Sequence, residues 1–165
     1  DSKAIDAQAG LEAAFSILSQ GMGGINLIHD VGYMAAGMVC SLEQLVMGNE
    51  IVGMAKRFIS GITVNRETLA REVIAAVGPR GHFLQQRHTM AHFKTELWRP
   101  QLLDQTAIAS WKQAGEPTLE KRARDRAIAL LETHVPEELP TKTVAELERL
   151  RREAEADILR QRKST

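Results

Sequence analysis

One segment limits the possible architectures more than any other. Ile25-Asn26-Leu27-Ile28-His29 is nearly all apolar, follows Gly23-Gly24 and ends at Asp30. Flanking glycine, β-branched residues and a polar stop read as one short strand. Its near-continuous apolar character fits a strand buried on both faces, as in a parallel sheet. A lone strand cannot make a sheet, because its N–H and C=O groups need hydrogen-bonding neighbours on both edges. Its partners are therefore expected elsewhere, in a preceding portion of polypeptide or in another chain.

Everything around this segment reads as helix. Leu11, Ala14, Phe15 and Leu18 recur at spacings of three and four, predicting a helix over Ile5–Ser19 with those residues on its buried face. Gly21-Met22-Gly23-Gly24 ends it. Gly32 to about Cys40 reads as a loop. Ser41-Leu42-Glu43-Gln44 is a capping box that opens a helix to about Phe58. Asn65 is the next expected N-cap, for a helix over Arg66–Val77 that stops at Gly78-Pro79. A short helix is expected at His88–Lys94, and further helices at Ala107–Gln113 and Thr118–Thr133. Thr143-Val144-Ala145-Glu146 is a second capping box, opening a helix to about Arg160. The fold expected is mainly α with one or two short strands.

Charge divides the chain further. Nine charged side chains fall in residues 1–64 and 22 in residues 116–165, eleven of each sign. The expected segments are 1–64 (helix-strand-helix), 65–115 (a helical extension) and 116–165 (charged helices). Lys plus Arg and Asp plus Glu are both 21, a zero net charge that argues against nucleic acid or a polybasic membrane anchor. No apolar run is long enough to span a bilayer. Cys40 is the single cysteine, so no intramolecular disulfide or cysteine-based zinc cluster can form. A reducing, cytoplasmic location is the simpler expectation. The start, Asp1-Ser2-Lys3, has neither an initiator Met nor a signal-peptide layout and reads as a fragment or processed product.

His29-Asp30 is the main candidate site. Ligand-contacting residues of parallel sheets and barrels lie at the carboxyl ends of strands, where this pair stands. The competing reading is a structural histidine beside a turn-capping aspartate. His88 and His92 have the i, i+4 spacing of helical metal ligands. The position after the first is Thr89 rather than the Glu of a zinc protease, and His82 is the sole candidate third ligand, so they read as structural. Gly21–Gly24 precedes a strand and lacks a following Lys-Ser/Thr, so it is a turn and not a phosphate loop. Cys40 between Val39 and Ser41 reads as an inert thiol. The methionines Met22, Met34, Met38 and Met47 read as core filling. Arg149, Arg151 and Arg152 alternate with Glu148, Glu153 and Glu155 as a solvated helix face.

Read together, three stretches resemble the C-terminal portion of the trimethylamine methyltransferase family. The first is Asp1-Ser2-Lys3 with Asp6-Ala7-Gln8-Ala9-Gly10. The second and strongest is Asn26 through Tyr33, Ser41 through Met47, and Asn49-Glu50-Ile51. The third is Gly78-Pro79, Gly81 through Leu84, His88-Thr89, His92-Phe93 and Glu96-Leu97-Trp98. The resemblance covers about residues 1–115. It implies a fragment of a much longer (β/α)8 barrel plus C-terminal helices. Family members move a methyl group from a methylated amine, such as trimethylamine or glycine betaine, to the cobalt of a corrinoid (cobalamin) carried by a separate protein. One branch carries pyrrolysine, at a position upstream of Asp1.

The resemblance also implies roles. The strand Ile25–His29 becomes a late barrel strand, with His29 at the catalytic mouth. His29 and Asp30 become the catalytic pair, and His29, Tyr33 and Asn26 contact substrate. His29 would hydrogen-bond a substrate carboxylate, Asp30 would offset ammonium charge or orient His29, and Tyr33 would face a methylated cation. No metal ligand and no chain-bound corrinoid are expected, since the corrinoid stays on its partner protein. Met34-Ala35-Ala36-Gly37 replaces the family's commoner Leu-Glu-Ser-Gly, and Gly48 stands where Asp is frequent. A fragment of a barrel would expose apolar surface and associate with itself, so a homo-oligomer is expected. The alternative is a non-catalytic helical module that binds partner proteins through the helices after Arg66. A third option, a metal hydrolase at His88 and His92, requires bound zinc.

Overall fold

The computed structural model describes residues 1–163 and is mainly helical. Its helices are α1 (Ala7–Met22), α2 (Leu42–Ile59), α3 (Arg66–Leu69), α4 (Arg71–Val77), α5 (Arg87–Glu96), α6 (Ile108–Gln113), α7 (Leu119–Thr133) and α8 (Thr141–Lys163). Strands β1 (Tyr33–Met34) and β2 (Val39–Cys40) lie between α1 and α2. Two compact units divide the chain, one over Asp1–Leu131 and one from Glu132 onward.

The strand expected at Ile25–His29 does not form. The segment has neither helix nor ladder, because among the described residues no strand lies beside it to take its N–H and C=O groups. Ile25 and Leu27 are exposed instead of buried. The observed sheet falls inside the expected loop. β1 and β2 pair antiparallel, Tyr33 opposite Cys40 and Met34 opposite Val39. Their turn runs through Ala35 (φ 50°), Ala36 (φ 53°) and Gly37 (φ 81°). It is closed by Gly37 N–H to Met34 O at 3.1 Å and Met38 N–H to Ala35 O at 3.1 Å. Two alanines in the left-handed region cost on the order of 1–2 kcal/mol each. Ala-Ala is not the Asn-Gly pair that announces such a turn, which is why the sequence reads as plain loop.

α1 starts later than expected because Asp6 caps it, its Oδ1 accepting from the N–H of Gln8 (3.0 Å) and Ala9 (3.2 Å). It continues through Gly21 and Met22 before stopping at Gly23-Gly24. The face expected to be buried is not. Leu11 and Phe15 are 72% and 78% exposed, while Ala9 and Ile17 are buried. α1 lies against α2 along its small residues: a Cβ built at Gly10 sits 3.9 Å from Met47 Cε. Close approach through Ala9 and Gly10 leaves the large side chains turned away.

α2 is capped by Ser41, whose Oγ accepts from Gln44 N–H at 3.2 Å. Only half of the expected capping box is present. The Gln44 side chain donates Nε2–H to Ala9 O of α1 at 3.3 Å and so joins the two helices. Further along α2, Glu50 is 7% exposed. Its Oε1 accepts from three successive backbone N–H groups, Gln101 (2.9 Å), Leu102 (2.7 Å) and Leu103 (3.1 Å). Arg122 of α7 donates Nε–H to Leu102 O at 2.9 Å. Leu102 thus has both peptide groups held while its side chain packs with Met47 and Ala123 in the core, flanked by Ile5, Val46 and Leu119.

The helix expected over Arg66–Val77 is broken at Ala70, which takes the left-handed conformation (φ 47°, ψ 34°) and separates α3 from α4. Asn65 caps α3 in a full capping box with Thr68. α5 is longer than expected, and Arg57 of α2 ties its end down by donating to Glu96 O (3.0 Å) and Glu96 Oε2 (3.1 Å). α8 begins at Thr141 rather than Thr143, since the N–H groups of Thr143 and Val144 already donate to Pro140 O. Its charged face is solvated as expected. Arg149 pairs with Glu146 and Glu153, and Arg151 with Glu148 and Glu155. Among the described residues no helix is long and apolar enough to cross a membrane.

Two predictions concern stability. Glu50→Ala removes the acceptor of three N–H groups and is expected to cost about 3 kcal/mol in urea unfolding, with Glu50→Gln costing less. A Glu50→Ala value within about 0.5 kcal/mol of the parent would show that the contacts are incidental. The second concerns acid. The Ser41 hydroxyl, the N–H of Glu43 itself and Arg124 hold the Glu43 carboxyl below the ordinary range. A carboxyl lowered on folding stabilises the protein above its unfolded value, and that contribution fades as pH falls through the folded value. Below about pH 4.5 the stability of Glu43→Gln should therefore fall less steeply than that of the parent. Parallel slopes would remove Glu43 from the acid response.

Candidate functional site

Between α1, the His29 segment, the β1–β2 hairpin and α2 lies an open cleft of about 440 Å³. Each wall follows from local structure. α1 offers Ala9, Ala13 and Ser16, small residues that leave space, with Glu12 and Gln20 at the same face. α2 offers Gln44 and Gly48, one turn apart. Gly48 keeps this approach open, since a Cβ at this position would come within 2.5 Å of Val31 Cγ1 and force that side chain to shift. The hairpin turn adds Ala36 and Gly37.

His29, Asp30 and Tyr33 line this cleft together. His29 Nδ1 lies 2.6 Å from Asp30 Oδ2, and both side chains are largely exposed. Asp30 has a positive φ of 63°, and its carbonyl accepts from Tyr33 N–H at 3.1 Å. That tight turn puts the imidazole, the carboxylate and the phenol ring at one mouth. With Nδ1 engaged by Asp30, Nε2 is the nitrogen left for a ligand. Asn26 is exposed and is not part of the cleft wall.

The side-chain charges lining the cleft are negative, and the terminal ammonium of Asp1 is positive beside them. Asp1, Glu12 and Asp30 line it, and no Lys or Arg side chain does. Glu12 accepts from Ser2 N–H (2.9 Å) and Gln8 Nε2–H (2.7 Å) and pairs with the chain's terminal ammonium. A small concave site walled by carboxylates, with an aromatic ring at its mouth, attracts a cation and orients it.

Sequence reasoning did not single out Gln44 or Glu12 for the site, and it marked Gly48 only as a departure from the family that the chain resembles. Gln44 is 4% exposed, and its Oε1 is buried without a hydrogen-bond partner. The capping-box pattern accounted for Gln44 so completely that nothing marked it as a cleft residue. The i, i+4 relation of Gln44 and Gly48 was the available signal.

The other candidates lie elsewhere. His88 Nε2 is 2.8 Å from Glu67 O, and His92 Nε2 is 3.2 Å from Glu67 Oε1, so one residue of α3 engages both rings. Among the described residues no group of three or more His, Cys, Asp or Glu side chains is placed to hold a metal ion. Cys40 is exposed on β2, outside the apolar setting expected for it. Met34 and Met47 are core residues, whereas Met22 and Met38 are exposed.

A family model described as trimethylamine methyltransferase (MTTB) matches residues 1–157. A trimethylamine methyltransferase of Desulfitobacterium hafniense is 37% identical over 155 residues, which are 94% of this chain and 31% of that protein. A glycine betaine methyltransferase of another strain of that organism is 36% identical over 149 residues, 90% of this chain and 31% of that protein. A trimethylamine methyltransferase of Methanosarcina acetivorans is 35% identical over 137 residues, 82% of this chain and 27% of that protein. The chain thus spans less than a third of the length of these relatives. The match over nearly all of its residues nevertheless decides its kinship: the chain belongs to the trimethylamine methyltransferase family.

Proposed function

We propose that the chain is the C-terminal part of a longer (β/α)8-barrel enzyme that takes a methyl group from a methylated amine and delivers it to the cobalt of a corrinoid protein. The observation that carries this reading is the cleft at His29, walled by carboxylates and free of cationic side chains, in a chain of this family. A methylated ammonium ion has the charge and size for it. Relatives named for trimethylamine and for glycine betaine both fit that ligand class.

His29 and Asp30 are the catalytic pair in this reading. Asp30 balances the ammonium charge and holds His29 Nδ1, and His29 Nε2 meets the polar end of a substrate that has one. Tyr33 supplies an aromatic face to the methyl groups. Asn26 reaches the substrate once Ile25–His29 is drawn into a barrel as a paired strand. Cobalt(I), carried by the partner protein, supplies the nucleophile, and this chain's residues bind the amine and align one methyl for in-line displacement. The apolar residues left exposed, Leu11, Phe15, Ile25 and Leu27, are the surface that the rest of the barrel covers. The isolated chain is accordingly inactive and self-associating, and the longer enzyme works in the cytoplasm, where its exposed Cys40 stays reduced.

The test is methyl transfer by the longer polypeptide to its corrinoid protein, reduced beforehand to cobalt(I), with trimethylamine or glycine betaine as donor. Methyl-cobalt absorbance is expected with one donor and is expected to fall about 100-fold in rate in His29→Ala. No transfer with any donor, from a folded enzyme and a reducible partner, would leave a non-catalytic role instead.

A further inference from the structure

Charge is spread unevenly over the first unit, and one stretch of it carries cations that its own carboxylates do not balance. Between Glu72 and Glu96 there is no acidic residue, while Arg80, Arg87 and Lys94 fall in that interval and Arg99 follows it. The neighbouring carboxylates are already engaged, Glu67 by His92, Glu72 by Arg66 and Glu96 by Arg57. Arg87 and Lys94 stand two turns apart on α5, on one face of the helix and about 10 Å apart along its axis. Met90 lies between them on that face and is 59% exposed. Near the end of the helix Lys94 and Arg99 both lie over the Phe93 ring, 5.8 Å and 5.4 Å from its centre. Among the described residues Arg87, Lys94 and Arg99 have no carboxylate partner, whereas Arg57, Arg66 and Arg124 do. His88 and His92 use a different face of α5 to engage Glu67 of α3.

We propose that this face of α5, with Arg99 beside it, docks an acidic surface of the protein that accepts the methyl group. The inference rests on the reading of the longer chain as a methyltransferase with a separate acceptor protein. Three cations without internal partners set up a positive field that draws in a negatively charged surface and orients it. Arginine, methionine and an aromatic ring are also the residues in which protein interfaces are enriched. A nucleic acid fits less well, because the net charge of the chain is zero and the cations flank an exposed apolar side chain instead of lining a phosphate track. A small anion fits less well too, since cations two turns apart on one helix do not converge on a point. The face lies within reach of the cleft. Arg57 fastens the end of α5 to α2. From Gly48 of the cleft wall to Arg57 is about 14 Å along α2. One partner's share of an ordinary protein interface, about 800 Å², extends over such a distance. The α5 face steers and seats the partner and performs no step of the methyl transfer.

The experiment is calorimetric titration of the longer polypeptide with its corrinoid protein, in the parent and in the double charge reversal Arg87→Glu with Lys94→Glu. Methyl-transfer rates are measured alongside, with the corrinoid protein varied. Parent affinity should fall severalfold between about 50 mM and about 200 mM salt, and the double variant should bind at least about tenfold more weakly than the parent. The neutral pair Arg87→Gln with Lys94→Gln should fall between the two, a grading by charge that misfolding does not produce. KM for the corrinoid protein should rise in step, with KM for the amine unchanged. Salt-independent binding by the parent, or equal affinity in the parent and both variants, would overturn the proposal and leave the methyl transfer standing. Graded loss of binding from a parent that transfers no methyl group would retire the reaction and keep the docking surface. A variant that alters the oligomeric state in sedimentation, but not the affinity for the corrinoid protein, would assign the face to a second copy. Binding of duplex DNA in place of the corrinoid protein would assign it to nucleic acid. Either result overturns the proposal.

Discussion

A single buried carboxylate organises the larger part of the molecule. Glu50 Oε1 receives three consecutive peptide N–H groups, an arrangement that elsewhere occurs at the start of a helix. Here no helix follows, and the three groups are brought together only because the carboxylate is there to collect them. The consequence reaches both ways. Leu102 is carried into the core beside Met47 and Ala123, and its carbonyl is delivered to Arg122 of α7. Meanwhile Glu50 fixes the inner face of α2, the helix that also carries Gln44 and Gly48. The cleft wall and the core of the first unit thus share one stretch of α2, with Met47 of the core lying between Gln44 and Gly48 of the cleft.

That dependence explains which parts of the fold were legible in the sequence. Helix ends were, because their causes are local. Ser41 and Asn65 cap as the pattern predicts, and Gly78 and Gly115 stop helices with positive φ. The break at Ala70 was not legible, since nothing in Leu69-Ala70-Arg71 disfavours a continuous helix. Nor was the fate of the α1 face. Leu11 and Phe15 form the kind of stripe that usually marks a core. Burying a stripe requires a partner, and the chain offers α2 only along the small residues of the neighbouring face. Ile25–His29 fails as a strand for the same reason. Periodicity reports what a segment is suited to, and pairing depends on what else is present.

The site was half legible. His29 and Asp30 were found by position, as the polar end of an apolar segment, and they do stand at the mouth of a cleft with Tyr33. The other wall was missed because each of its residues had a sufficient ordinary explanation. Gln44 completed a capping box, Glu12 was one more helix charge, and Gly48 was marked as a departure from the resembled family without a place in the site. Only the crossing of α1 over α2 turns these into one surface. A capping pattern describes which bonds a side chain can make locally, whereas the Gln44 amide makes its bond across the helix pair.

The turn Met34-Ala35-Ala36-Gly37 holds three successive positive φ angles. A second bond from Ala35 N–H to Ser2 O, 3.0 Å long, holds the turn against the start of the chain. Alanine tolerates this geometry with less crowding than a longer side chain and brings no charge. At Gly48 a Cβ would come within 2.5 Å of Val31 Cγ1, so any larger residue requires the Val31 side chain to move. The acidic side chains that line the cleft are Asp1, Glu12 on α1 and Asp30 beside His29.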